Sequence, residues 1–217
     1  MKITKYPQSC LLIETKGKKI LIDPGKLKYK DEYFDIWNSV DIILITHKHP
    51  DHCNTEVLEK LDKKITIYST KEVQDANESL NINIVKENDI LTLGDITIEV
   101  VHAIHGYQPL LKGKEINENV GYIIDDGENR LYSTSDTICF RNEYKANILF
   151  VPVTGHGLTM SAFESALYAK EVGATLTIPV HMDNPAFPPD FEYIKEMFEK
   201  YDVEYELLDN DETIEIE

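Results

Sequence analysis

The run Thr46-His47-Lys48-His49-Pro50-Asp51-His52 constrains this chain more than any other, because three imidazoles and a carboxylate fall within six positions directly after the apolar run Asp41 to Ile45. A short apolar run of this kind reads as a buried strand, so the four polar groups are delivered where the chain leaves the core. Residues two apart on an extended loop can both face one ion, while the following Asp and His reach a second site a few ångströms away. Any one of these histidines alone would be read as a core or surface residue. Packing so many desolvated imidazoles together without a cation, however, leaves donors and acceptors unpaired. The run is therefore read as a metal-binding loop.

One loop cannot complete a coordination sphere, since each ion needs about four donors. Further candidates should stand at other strand ends, and they do. His105 follows the strand-like run Ile96 to Val101, Asp136 follows Arg130 to Ser133, and His181 follows Thr177 to Val180 directly. That placement can bring all of them to one rim of a sheet structure. His102 competes with His105; residues three apart on a strand face opposite ways, so only one points inward, and His105 is chosen. Asp136 in Ser-Thr-Ser-Asp-Thr could also be a simple turn residue.

The remaining pattern is regular. Ser9 to Pro24 reads as a hairpin turning at Lys16-Gly17-Lys18, Ile90 to Val101 as two strands about Gly94-Asp95, and Val120 to Ser133 as a hairpin closed by Asp125-Asp126-Gly127-Glu128. Lys26 to Asn38 is expected to be loop with some helix. Asn54 is a candidate N-cap for a helix carrying Val57, Leu58 and Leu61. Helices are predicted over Thr70 to Ser79, Ser161 to Val172 and Phe191 to Tyr201, and strands over Ile65 to Tyr68, Ile82 to Val85, Asn147 to Val153, Leu176 to Val180 and Thr213 to Ile216. Strands lead and helices follow in each half, which suggests an α/β fold of two sheets packed face to face with helices outside. No linker or low-complexity tract interrupts residues 1–217, so one domain is expected.

Composition narrows the partners. Acidic residues outnumber basic ones 39 to 22, for a formal net charge of -17, and such a surface repels a phosphate backbone, so no nucleic acid is expected. No apolar stretch is long enough to span a membrane, and Met1 to Gln8 carries no apolar run that would mark a leader. The three cysteines, Cys10, Cys53 and Cys139, form no CxxC pair. That fits a reducing, cytoplasmic setting and thiols used as small core residues.

The H-x-H-x-D-H string after a strand, the later His105, Ser135-Asp136-Thr137 and the closing Ile178-Pro179-Val180-His181 together resemble the metallo-β-lactamase superfamily. Order and spacing are most similar to its ascorbate-6-phosphate lactonase-like branch of metal-dependent hydrolases. The resemblance implies an αββα sandwich with a binuclear site holding two divalent ions, zinc first and manganese or iron as alternatives. It implies His47, His49 and His105 on one metal, Asp51, His52 and His181 on the other, and Asp136 bridging. Many relatives carry Gly where this chain has Ser135. Gly155-His156-Gly157-Leu158-Thr159-Met160 also resembles a segment of that branch, which would put His156 near the metals, binding substrate or polarising a leaving group; the plainer role is capping a Gly-flanked turn.

The expected reaction is hydrolysis of an ester, lactone or small phosphodiester by a metal-bridged hydroxide, with Asp51 orienting the nucleophile and shuttling its proton. The alternative is a catalytically silent metal-binding regulatory or scaffold protein, against which the complete ligand set speaks. The substrate is expected to be a small molecule. Lys26, Lys28 and Lys30, beside Tyr29, Tyr33, Phe34 and Trp37, could form a rim attracting an anionic one, to which Lys112 and Lys114 could add; a solvated loop or a dimer contact is the plainer reading, and a homo-oligomer fits the chain equally. Cys53 is read as a buried thiol rather than a ligand.

Overall fold

The computed structural model describes residues 1–106 and 115–216. The chain runs through β1 (Lys2–Lys5), β2 (Leu11–Thr15), β3 (Lys18–Ile22), α1 (Tyr33–Trp37), β4 (Ile42–Leu44), α2 (Thr55–Leu58), β5 (Thr66–Ser69), α3 (Lys71–Ala76) and β6 (Ile82–Ile84). It continues with β7 (Ile90–Leu93), β8 (Ile96–His102), β9 (Val120–Asp125), β10 (Arg130–Ser133), β11 (Ile148–Pro152), α4 (Ala162–Val172), β12 (Leu176–Val180), α5 (Phe191–Lys200) and β13 (Thr213–Glu215). Two mixed sheets result, ordered β13-β1-β2-β3-β4-β5-β6 and β12-β11-β10-β9-β8-β7.

Strand alternation sorts the apolar side chains into layers. Leu11, Ile13, Ile20, Ile22, Ile42 and Leu44 point to the same core as Ile98, Val100, Tyr122, Ile124, Leu131 and Phe150 of the other sheet. Their neighbours Leu12, Leu21 and Ile43 point outward, under Tyr33, Trp37, Leu58 and Val73 from α1 to α3. On the far side Ile123, Tyr132, Leu149 and Val151 are covered by Ala166, Ala169, Ile194 and Phe198 of α4 and α5. The layers are thus helix, sheet, sheet, helix, as expected. Among the described residues, no helix is long and apolar enough to cross a membrane.

Two local readings differ. Strand β1 was not foreseen, because its lysines and single isoleucine give no apolar run. It is made by long-range pairing, between β2 and β13, with Lys2 opposite both Glu14 and Glu215. The helix after Asn54 is a single turn that ends before Leu61, and the Asn54 side chain makes no capping hydrogen bond.

Strand direction positions the site. In the first sheet β3 and β4 are parallel, and β1 runs the same way through two antiparallel steps. In the second, β10, β11 and β12 are parallel, and β8 shares their direction through β9. The segments leaving β1, β3 and β4 therefore exit at one edge of their sheet, and those leaving β8, β10 and β12 at one edge of the other.

Candidate metal centre

Those exits carry the candidate ligands, and the structure brings all seven together. His47, His49 and His105 each present a ring nitrogen within 4.8 Å of the others, and ring nitrogens and carboxylate oxygens come equally close among His47, His52 and Asp136 and among Asp51, His52 and His181. The Asp136 Oδ2 atom sits at the centre, 3.0 Å from His181 Nε2, 3.2 Å from His52 Nε2 and 3.7 Å from His105 Nε2. Asp51 Oδ2 lies 3.7 Å from His181 Nε2 and 3.9 Å from His52 Nε2. His47 Nε2 and His49 Nδ1 are 3.1 Å apart, close to the ~3.3 Å that separates two nitrogens on one tetrahedral zinc ion.

Neighbouring groups set which nitrogen faces inward. His52 Nδ1 donates to Asp23 Oδ2 at 2.8 Å, and His105 Nδ1 donates to the Gly106 carbonyl at 2.7 Å. Thr46 Oγ1 donates to Asp23 Oδ2, leaving its lone pair for His47 Nδ1 at 3.0 Å. In each ring the Nε2 lone pair is therefore left aimed at the cluster. Asp23 ends the first hairpin, and the sequence carries no signal for this role beyond its place at a strand end. Gln8 was also missed; its side chain donates to Asp51 Oδ2 at 2.9 Å.

Without a cation this arrangement leaves an imbalance. His52 Nε2, Asp136 Oδ1 and His181 Nδ1 are buried and have no hydrogen-bond partner among the described residues. Burial works against charge on Asp136, yet His181 and His52 outweigh it and hold its carboxyl well below the usual range. Burial likewise opposes protonation of His181, but Asp136 and Asp51 raise it to about 9. Burial, then the neighbouring imidazole of His52, pushes His47 well below its ordinary value. Such a concentration of acceptors around a single buried carboxylate fits divalent cations.

The other sequence candidates are resolved as follows. His102 ends β8 and is half-buried, its Nδ1 3.1 Å from Glu87 Oε2; strand alternation is not what separates it from His105, since the strand stops first. His156 stacks on Phe187 at 3.6 Å and lies 6.0 Å from the His181 ring, with Asn184 Nδ2 3.2 Å from its Nε2. Ser135 adopts φ 64°, the left-handed region that explains a glycine preference there. Cys53 is a buried free thiol, Cys10 is buried and Cys139 half-buried. Of the four aromatics in that rim, Tyr33 and Trp37 are buried and stack at 5.7 Å, and Tyr29 and Phe34 are half-buried against the same core. Lys26, Lys28 and Lys30 pair with Glu56, Asp183 and Asp211 at 2.6, 2.9 and 2.5 Å. Lys112 and Lys114 lie outside the described residues.

Comparison with known proteins places this geometry in a family. Residues 2–181 match the model of the β-lactamase superfamily domain. A UPF0173 protein of Pyrococcus abyssi is 32% identical over 190 residues, covering 83% of each chain. A UPF0173 metal-dependent hydrolase of Methanosphaerula palustris is 26% identical over the whole of both chains. Among solved structures, Igni18, a metallo hydrolase from Ignicoccus hospitalis, superposes with a TM-score of 0.79 at 22% identity, covering 100% of this chain and 99% of that one. A chain that builds the αββα sandwich and gathers these side chains at one edge of its sheets belongs, by these matches, to the metallo-β-lactamase superfamily.

Proposed function

We propose that the chain is a metal-dependent hydrolase that cleaves a small carboxylic ester or lactone, with two divalent cations held by His47, His49 and His105, by Asp51, His52 and His181, and by Asp136 between them. The observation that carries this reading is the pair of partnerless buried atoms His52 Nε2 and Asp136 Oδ1, set among the other candidate ligands, which a cation would satisfy. Held by these residues, divalent cations would supply Lewis-acid polarisation of the scissile carbonyl and would lower the pKa of water from about 16 toward about 7. Imidazole and carboxylate donors suit zinc, and manganese or iron next. Asp51 Oδ2, steadied by Gln8, orients the attacking water and takes up its proton. His156 is kept neutral by burial and by His181, so it offers an imidazole N–H to the leaving oxygen.

The surroundings favour a carbonyl substrate over a phosphodiester. Lys26, Lys28 and Lys48 each already hold a carboxylate, Glu56, Asp183 and Glu72, and so offer little to a phosphate. Leu158, against Gly106, and Phe187, on His156, remain 38% and 49% exposed, which suits an apolar substituent. The free thiols fit a reducing compartment such as the cytoplasm.

The test is metal analysis together with a substrate panel. Purified protein should hold close to two divalent ions per chain and hydrolyse 4-nitrophenyl esters or lactones faster than bis(4-nitrophenyl) phosphate. The Asp136→Ala protein should lose at least one ion and nearly all turnover. No bound metal after expression in supplemented medium overturns the metal reading; a preference for the phosphodiester overturns the substrate.

A further inference from the structure

We propose that Gln8 is a positioning residue that holds Asp51 and His181 at ligating separation and so governs occupancy of the pocket formed by Asp51, His52 and His181. The inference rests on the metal-hydrolase reading above. Gln8 leaves β1 at the edge where the ligands gather, is 1% exposed, and adopts φ 61°. A non-glycine residue stays in that left-handed region only where its surroundings over-determine it.

Four hydrogen bonds do so. The backbone N–H donates to Asp183 Oδ2 at 2.7 Å, and the backbone carbonyl accepts from His181 N–H at 3.1 Å. In the side chain, Oε1 accepts from Asp183 N–H at 2.9 Å and Nε2 donates to Asp51 Oδ2 at 2.9 Å. The amide orientation is set by chemistry, because an ionised carboxylate only accepts and a backbone N–H only donates. Asp183 is anchored in its turn, accepting at Oδ1 from Lys28 Nζ at 2.9 Å and Asn210 Nδ2 at 2.6 Å, with the buried Lys5 Nζ 4.0 Å from Oδ2.

Gln8 therefore joins a rigid, charge-compensated anchor to two segments that bring ligands from opposite sheets. Asp51 needs this restraint: its side chain is 28% exposed, and the nearest imidazole nitrogens stand off at 3.7 and 3.9 Å. A carboxylate oxygen has a lone pair for the Gln8 N–H and another for a cation, so the contact orients Asp51 without blocking it. The four hydrogen bonds of Gln8 reach Asp51, His181 and Asp183 rather than the triad His47, His49 and His105, so the pocket of that triad should not respond.

Substitution of the side chain leaves both backbone bonds in place. Gln8→Met removes donor and acceptor at similar length, and Gln8→Glu keeps the shape but turns a like charge toward Asp51. Metal-free wild type and both variants would be titrated with cobalt(II), followed by its electronic spectrum, and the melting temperature of each metal-free protein recorded. Wild type should take up two equivalents. The variants should fill the first with unchanged affinity and the second 10- to 100-fold more weakly, as loss of an orienting partner of a ligand typically costs; the metal-free melting temperature should move little. An unchanged second step in either folded variant overturns the proposal, as does equal weakening of both steps with a large fall in melting temperature. Wild type that takes up no cobalt overturns the hydrolase reading itself, an outcome distinct from either.

Discussion

Asp23 orients two imidazoles with one carboxylate. It is fully buried, accepts from His52 Nδ1, Thr46 N–H and Thr46 Oγ1, each at 2.8 Å, and through that threonine also settles His47. Burial raises its pKa, so the three donors are what make an ionised carboxylate tolerable there. Asp23→Asn replaces one acceptor by a donor, and one of these bonds must break. Affinity for divalent ions should fall about 10- to 100-fold, read by competition with a chelating dye; unchanged affinity would show that the imidazoles hold their orientation without it. His156 stands one ring further out, stacked between His181 and Phe187. For His156→Ala the expectation is full metal content with kcat lowered about 100-fold, measured on the best ester of the panel. Metal loss in that variant would make His156 a ligand instead.

At the level of elements, the site is a property of strand direction. Six strands from two sheets end at the cluster, and the loop after β4 is wedged against the loop after β3. Lys26 N–H donates to the Pro50 carbonyl at 2.7 Å and Asn54 N–H to the Pro24 carbonyl at 2.8 Å. At Gly25 the two backbones come so close that a Cβ would stand 1.8 Å from the Asp51 carbonyl oxygen. Backbone cannot yield as a flexible side chain does, so Gly25→Ala should cost about 1–3 kcal/mol and shift the ligand loop. Urea unfolding with metal analysis would register both effects; wild-type stability with full metal content would mean the loops part more easily than their contacts indicate. The hairpin β2–β3 and the helix α4, with its Ser161 and Glu164 capping box, were legible because their signals are local. β1 was not, because it owes its existence to partners at the far end of the chain.

Across the whole molecule, the two ends of the chain are tied beneath the site. β1 pairs with β13, and Asp183 gathers Lys5, Gln8, Lys28 and Asn210. Burial pushes the Asp183 carboxyl up, but bonds from Asn210, Gln8 and Lys28 and the charge of Lys5 outweigh it and hold its pKa below the ordinary value. A carboxyl lowered on folding contributes stability above its unfolded value of about 3.9, and that contribution is lost as pH falls through the folded value. Metal-free Asp183→Asn should therefore be less stable than wild type at pH 7 by about 1–3 kcal/mol. The gap should narrow as pH is taken below about 3.9, compared by urea midpoints. A gap independent of pH would assign the effect to packing rather than charge.

The strands other than β1 and the clustered run His47 to His52 were legible in the sequence alone, because periodicity and clustering act over a few residues. His105, Asp136 and His181 could be nominated from their places at strand ends, since a metal needs donors from more than one segment. Only the tertiary structure decided that Asp23 and Gln8 stand behind those candidate ligands, that Lys28 serves Asp183, and that Tyr33 and Trp37 are core. Each of those roles depends on a partner brought from a distant strand, and a hydrogen bond or an ion pair leaves no periodic trace in the chain that makes it.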